Sequence, residues 1–80
     1  MPKDDIEQAI AMRLVEARNA AGLTQAAAAA KLEMSQPALA HWEAGNRSIR
    51  LADVPKIATA YETTPQKLLK KIFGNTKNKA

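Results

Sequence analysis

Two short helical patterns lie almost end to end in this sequence, and they constrain its fold more than any other feature. The first runs from Thr24, a favourable N-cap residue, to about Leu32, and its alanine run Ala26–Ala30 combines high helix propensity with small side chains. The second begins at Ser35, another N-cap residue, and ends at about Ala44. Because only two residues separate the patterns, the sequence predicts two helices joined by a tight turn and packed closely together.

Further helices are predicted on both sides of this pair, and strand patterns are nearly absent. The first helix is expected to start near Asp5, which has capping-box spacing with Gln8. A fourth helix is expected to start with Asp53 as its N-cap rather than at Leu51, because this start places Pro55 in the first turn, where proline is tolerated. A fifth helix is expected over about residues 64–73.

These patterns together predict a compact all-α domain of five helices. With 80 residues, the chain has the length of one small domain. We expect an N-terminal arm at residues 1–5, the helical domain at residues 6–73 and a flexible basic tail at residues 74–80. The residues predicted to face inward are Ile6, Ile10, Leu14, Ala17, Ala21, Leu39, Trp42, Val54, Ile57, Ala58, Tyr61, Leu68, Leu69 and Ile72.

Charge and composition limit the possible classes of function. The net charge is +4 and uneven: residues 1–33 carry four basic and five acidic side chains, whereas residues 34–80 carry eight and three. A basic half suggests a surface for a polyanion, although a solubility tail would give the same count. The sequence has no Cys and no apolar run near the roughly 18 residues that a membrane span needs. We therefore expect a cytoplasmic protein without a membrane association.

The turn region also carries a family resemblance. Its matching residues are Gly22-Leu23-Thr24-Gln25, Lys31-Leu32, Ser35-Gln36-Pro37-Ala38-Leu39 and Trp42-Glu43-Ala44-Gly45-Asn46-Arg47, followed by Leu51, Ile57-Ala58, Tyr61 and Leu68-Leu69. This pattern, over roughly residues 10–70, resembles the Cro and lambda-repressor-like family, also called Xre-type regulators. The resemblance implies a helix-turn-helix over about residues 24–43, formed by the second and third helices. It also implies that the third helix, over about residues 35–44, enters the major groove of double-stranded operator DNA.

The outward side of the third helix carries residues suited to reading bases. Gln36 can form paired hydrogen bonds to adenine, which contribute about 1–3 kcal/mol of discrimination. Pro37 and Ala40 can pack on a thymine methyl group, and His41 can bond to guanine. The alternative for each residue is a solvated helix surface. We expect these four side chains to contact base edges.

A second set of residues is expected to contact the phosphates. Gln25 lies at the start of the second helix, where free amide groups and the helix dipole attract anions. The resemblance implies that Gln25 also supports Gln36, and that the loop after the third helix lies on the DNA backbone. The residues expected at the phosphates are Gln25, Ser35, Asn46, Arg47 and Arg50.

Other matching residues have structural roles under the resemblance. It implies an ion pair between Arg18 and Glu43 that joins the first helix to the third, and we expect Trp42 in the core. The sequence departs from the family at Glu33 and Glu62, where the family usually has glycine in a turn. If the backbone there is left-handed, each glutamate costs roughly 1 kcal/mol; otherwise the turns have a different geometry.

The family usually binds DNA as a dimer, so a homodimer is expected. Two copies would place their recognition helices in successive major grooves, about 34 Å apart, on a roughly palindromic operator. The interface candidates are Leu69, Ile72 and Phe73 of the fifth helix, although these residues could instead close the core of the monomer. The lysines of this helix could flank the interface or contact DNA.

The function expected from the resemblance is sequence-specific transcription regulation, as a repressor of phage or mobile-element type. Alternatives with the same fold are a restriction-modification controller, a toxin-antitoxin regulator and, less favoured, a protein-interaction module without DNA binding. An enzyme is not expected, because the chain has one His, no Cys, no phosphate-binding glycine loop and no clustered carboxylates at metal-ligand spacing. We expect no cofactor, no metal ion and no small-molecule ligand.

Overall fold

The fold is an all-α arrangement of five helices in the computed structural model, which describes the backbone of residues 3–73 and the side chains of residues 6–70. The predicted basic tail at residues 74–80 lies outside the described residues. The helices are α1 (Lys3–Ala20), α2 (Gln25–Leu32), α3 (Gln36–Glu43), α4 (Val54–Ala60) and α5 (Pro65–Phe73), and a 3-10 turn (Leu51–Asp53) precedes α4. No helix in residues 3–73 is both long enough and apolar enough to cross a membrane.

Side-chain hydroxyl groups cap three helix starts, and two of these residues, Thr24 and Ser35, were predicted as caps. The Thr24 hydroxyl accepts a hydrogen bond from Ala27 N–H at the start of α2, at 3.0 Å, and the Ser35 hydroxyl accepts one from Ala38 N–H at the start of α3, at 3.1 Å. At the start of α5, the Thr64 hydroxyl accepts one from the backbone N–H of Lys67. The predicted bounds of α2, α3 and α5 are therefore confirmed.

Two predicted helix starts differ from the structure in detail. Helix α1 begins at Lys3 rather than at Asp5, so residues 3–5, expected in an arm, are helical; no glycine or proline between these positions stops the helix. Helix α4 begins directly after Asp53 with Pro55 in its first turn, as predicted, but Asp53 has a right-handed backbone and its side chain does not cap the helix. Its carboxylate instead accepts a hydrogen bond from Arg50 N–H at 2.7 Å, which closes the 3-10 turn beginning at Leu51.

Helices α1 to α4 share one C-terminal geometry. Each is followed by a residue with a left-handed backbone: Gly22 (φ 76°), Glu33 (φ 59°), Gly45 (φ 80°) and Glu62 (φ 57°). The N–H of each residue donates to the carbonyl three residues earlier, and the next N–H donates to the carbonyl five residues earlier, at 2.8 to 3.2 Å. This is the Schellman motif, so both glutamates occupy positions that favour glycine.

The core contains one large, fully buried side chain from each helix. These are Leu14, Leu32, Leu39, Ile57 and Leu68, each at most 2% exposed. Around them pack Trp42, Tyr61 and several alanines of α1 and α2, whose small side chains allow the helix backbones to approach closely. Ile6 was predicted to face inward but is 58% exposed, since it lies one turn beyond the part of α1 that the core covers.

Candidate nucleic-acid interface

The side of α3 that faces away from the core is short, polar at both ends and accessible. Gln36, Pro37 and His41 are exposed, and Ala40 between them is half-buried. The opposite side of the helix is in the core, which fixes the rotation of α3 about its axis. All four residues expected to read bases therefore lie together on the outer side, with no bulky side chain among them to keep α3 out of a groove.

A chain of hydrogen bonds joins α1 to the first residue of α3. Arg18 forms two bonds with Glu43, Nε to Oε2 at 2.7 Å and Nη2 to Oε1 at 3.1 Å, and its Nη1 donates to the Leu23 carbonyl at 2.9 Å. Gln25 Nε2 donates to Glu43 Oε1 at 3.0 Å, and Gln36 Nε2 donates to Gln25 Oε1 at 3.3 Å. These hydrogen bonds leave one Nε2 hydrogen and the Oε1 atom of Gln36 free to bond to another molecule.

The ion pair in this chain is largely removed from water. The side chains of Arg18 and Glu43 are 13% and 5% exposed. The hydrogen bond to Glu43 raises the pKa of Arg18, against the lowering effect of burial. The two-bond geometry fixes both side chains in the way typical of guanidinium–carboxylate pairs. The pair therefore ties α3 to α1 at a defined angle, as the resemblance implied.

Trp42 lies in the core on the inner side of α3. Its residue is 8% exposed, and in the described part of the chain its indole Nε1 has no hydrogen-bond partner. A side chain buried in this way has no face free to stack on a base. Its position fits the structural role expected for it.

The loop after α3 places three polar side chains in solvent. Asn46, Arg47 and Arg50 are all exposed, and Arg50 is 82% exposed at its side chain although its Nε lies 3.7 Å from Asp53 Oδ2. At the other end of the interface, Ser35 is exposed and Gln25 is half-buried. Ser35 accepts the capping hydrogen bond with its oxygen, which leaves its hydroxyl hydrogen available to a phosphate.

The loop also contacts α1, and no pattern in the sequence predicts this contact. Ser48 Oγ donates to Glu7 Oε2 at 2.6 Å, and Gln8 Nε2 donates to the Ala44 carbonyl at 3.3 Å. A Cβ atom at Gly45 would lie 2.5 Å from Gln8 Nε2. These partners are 36 and 41 residues apart in the chain, so local patterns contain no signal for them.

The dimer candidates lie on α5. Leu69 is half-buried and packs against the core cluster. The side chains of Ile72 and Phe73 lie outside the described residues. The interface predicted for these three residues therefore stays a prediction.

Comparison with known proteins identifies the family. A family model described as a helix-turn-helix domain matches residues 9–69. The fold is similar to the crystal structure of the clp gene regulator ClgR from C. glutamicum, with a TM-score of 0.79 and 18% identity over 92% of this chain and 96% of that chain. It is also similar to the restriction-modification controller protein C.AhdI from Aeromonas hydrophila, with a TM-score of 0.70 and 31% identity over 78% and 94% of the two chains. No curated protein sequence matches the chain.

These comparisons differ in how much they show about the family of this chain. At 18% identity, the likeness to ClgR shows the fold alone. The family model spans most of the chain, and the 31% identity to C.AhdI extends over 78% of it. The family model and the likeness to C.AhdI both agree with the turn between α2 and α3 and with the family resemblance of the residues around that turn. The chain belongs to the helix-turn-helix family of the Cro and lambda-repressor (Xre) type.

Proposed function

We propose that this protein is a sequence-specific DNA-binding transcription regulator that acts as a homodimer. The observation that carries the proposal is the outer side of α3: Gln36, Pro37 and His41 are exposed beside half-buried Ala40, while the inner side is held in the core. A helix of this width fits the major groove, where each base pair presents a distinct pattern of donors and acceptors. The proposed setting is the cytoplasm, as a repressor of phage or mobile-element type.

Gln36 is proposed as the principal reader of sequence. Its bond to Gln25 uses one hydrogen of Nε2 and orients the amide group. The remaining Nε2 hydrogen and Oε1 match N7 and the N6 amino group of adenine. Because Gln25 is in turn bonded to buried Glu43, the orientation of Gln36 is set before DNA is bound. Preorganisation of this kind lowers the entropy lost on binding.

Residues at both ends of α3 are proposed to contact the phosphates. Gln25 and Ser35 lie at the starts of α2 and α3, where helix dipoles favour anions. Asn46, Arg47 and Arg50 extend from the loop after α3. Contacts of this kind fix the register of the protein on the duplex without reading sequence. The base-reading residues of α3 and the phosphate contacts near its two ends together define the orientation of α3 in the groove.

A homodimer is proposed because one α3 helix covers too few base pairs for tight binding. Two copies related by a two-fold axis would read half-sites about one helical turn apart. Leu69, with Ile72 and Phe73, is the proposed contact on α5. Sedimentation of the free protein and of its DNA complex measures the stoichiometry. The proposal expects two chains per duplex, and one chain per duplex at saturation would contradict it.

The test begins with selection of bound duplexes from a random DNA pool at physiological salt, followed by affinity measurements on the selected motif. Gln36→Ala should weaken binding to the motif by about 5- to 100-fold and relax the preference at one base pair, with little effect on non-specific binding. Arg47→Ala should weaken binding to all duplexes and make the salt dependence shallower by about one unit.

Lys56→Ala is the matched control for charge. Lys56 is exposed on α4, outside the proposed interface, and its removal also deletes one positive charge. Its effect on both kinds of binding should be much smaller than that of Arg47→Ala. If Gln36→Ala and Arg47→Ala have the same effect on every duplex, the division into readers and phosphate contacts is wrong. If no duplex is preferred, a protein-interaction module is the better account.

A second candidate function is control of restriction-modification genes. It is favoured by the 31% identity to a restriction-modification controller protein. The two candidates share the DNA-binding mechanism and differ in the genes they regulate. If the selected motif lies upstream of genes for a restriction endonuclease or its methyltransferase, and a reporter at that site responds to the protein, the controller role is supported.

A further inference from the structure

We propose that Glu7 and Gln8 of α1 are positioning residues that hold the loop after α3 in its DNA-binding conformation. The inference rests on the DNA-binding function proposed above and adds two residues to it, neither of which is expected to touch DNA. Its basis is the pair of contacts by which α1 reaches across to this loop, from Glu7 to Ser48 and from Gln8 to Ala44.

In the middle of the loop, Ile49 packs against the core, but the backbone has few polar restraints of its own. The Schellman motif at Gly45 and Asn46 holds its first end, and the Asp53 carboxylate holds Arg50 at the other. Between them, residues 47–49 donate no backbone–backbone hydrogen bond within the described part of the chain. The bond from Ser48 Oγ to Glu7 is therefore the polar contact that restrains this stretch, and Ser48 directly follows Arg47.

Gln8 restrains the beginning of the same loop. Its amide donates to the carbonyl of Ala44, the residue directly after α3, which has no partner inside the helix. The amide also lies where a Cβ atom of residue 45 would be, at 2.5 Å. Gly45 therefore provides the left-handed backbone of the turn, and a side chain at this position would push the Gln8 amide away from its present place.

The negative charge of Glu7 allows a positioning role to be distinguished from a purely electrostatic effect on DNA affinity. A carboxylate beside a loop that approaches phosphates repels them, so by charge alone Glu7 should weaken DNA binding. A positioning role predicts the opposite sign, because an ordered loop loses less entropy when Arg47 binds. Glu7→Gln keeps an oxygen that can accept from Ser48 but removes the charge, whereas Glu7→Ala removes both.

The test compares DNA affinities of the full-length variants. Glu7→Ala and Ser48→Ala should each weaken binding about three- to tenfold for all sequences, and the double variant should be no weaker than either single one. Glu7→Gln should bind DNA with an affinity equal to or higher than that of the wild type. Glu16→Ala is the matched control, because it removes an exposed carboxylate of the same helix that pairs with Arg13 rather than with the loop. It should leave the affinity unchanged.

A second readout follows the loop itself in the free protein. NMR relaxation of the backbone amides should show greater mobility at residues 46–49 in Glu7→Ala than in the wild type, with Glu7→Gln close to the wild type. An increase in affinity common to Glu7→Ala and Glu7→Gln would overturn the proposal, as would unchanged affinity in both. If the wild type binds no duplex, the proposed function fails; the loop mobility still decides this inference, and equal mobility in all variants would refute it.

Discussion

The left-handed glutamate at the end of α2 gives a quantitative test of the turn. Glu33 has φ 59° and ψ 43°, and its own N–H and that of Met34 form the Schellman bonds to the carbonyl groups of Ala30 and Ala29. Its side chain is exposed and forms no ion pair among the described residues. Replacement by glycine therefore relieves the backbone without removing a side-chain contact seen in this structure.

The expected gain is the difference between two terms. A left-handed conformation costs an L-residue about 1–2 kcal/mol. Glycine increases the entropy of the unfolded chain, which costs about 0.4–1 kcal/mol. We expect Glu33→Gly to raise the free energy of unfolding by about 0.5–1 kcal/mol, or the Tm by about 2–8 °C for a domain of this size.

The assay is thermal and urea unfolding followed by circular dichroism. Glu33→Ala is the first control, because it removes the charge but keeps the Cβ atom; its stability should stay near that of the wild type. Gly22→Ala is the second, since a Cβ atom there would meet nothing within 4 Å while φ is +76°. It should destabilise the protein by about 1 kcal/mol through the backbone alone. A fall in Tm for Glu33→Gly, or an equal rise for Glu33→Ala, would refute the reasoning.

Two further predictions concern ionisable groups of the core. Arg18→Met leaves the 5% exposed Glu43 carboxylate without its cation and should lower the free energy of unfolding by about 3–5 kcal/mol. The double variant Arg18→Met/Glu43→Leu should recover part of this loss. Urea unfolding measures both variants, and equal losses in the two would contradict the role of the ion pair. Burial raises the pKa of Tyr61 to about 12 from about 10 in an unfolded chain, so its stabilising contribution is complete below pH 10 and is lost as the pH rises towards 12. Tyr61→Phe should lose less stability than the wild type over this interval, and parallel pH profiles would rule out the effect.

The sequence predicted the parts of the fold that local chemistry determines. Thr24 and Ser35 marked the starts of α2 and α3 because each hydroxyl bonds to a backbone N–H three residues later. Glutamate in place of the family's glycine at Glu33 and Glu62 left two possibilities, a strained left-handed turn or a turn of different geometry. The φ values show that the backbone is left-handed at both residues.

Features that depend on contacts between distant residues were not predicted. One local contact was also not predicted: Asp53 occupies the expected N-cap position of α4, but its carboxylate bonds to the N–H of Arg50, three residues earlier, instead of capping the helix. The contacts of Glu7 and Gln8 with the loop join residues 41 and 36 positions apart, and they exist only once α1 and α3 have packed. The exposure of Ile6 likewise depends on where the core ends along α1.

The most direct test of the account is a map of the DNA contact on the protein. Backbone amide NMR spectra of the free protein and of its complex with the selected duplex would be compared residue by residue. We expect the largest changes at residues 35–41 and 46–50, and small changes on the outer side of α4 around Lys56. Large changes around Lys56 with none at residues 35–41 would contradict the claim that α3 lies in the groove.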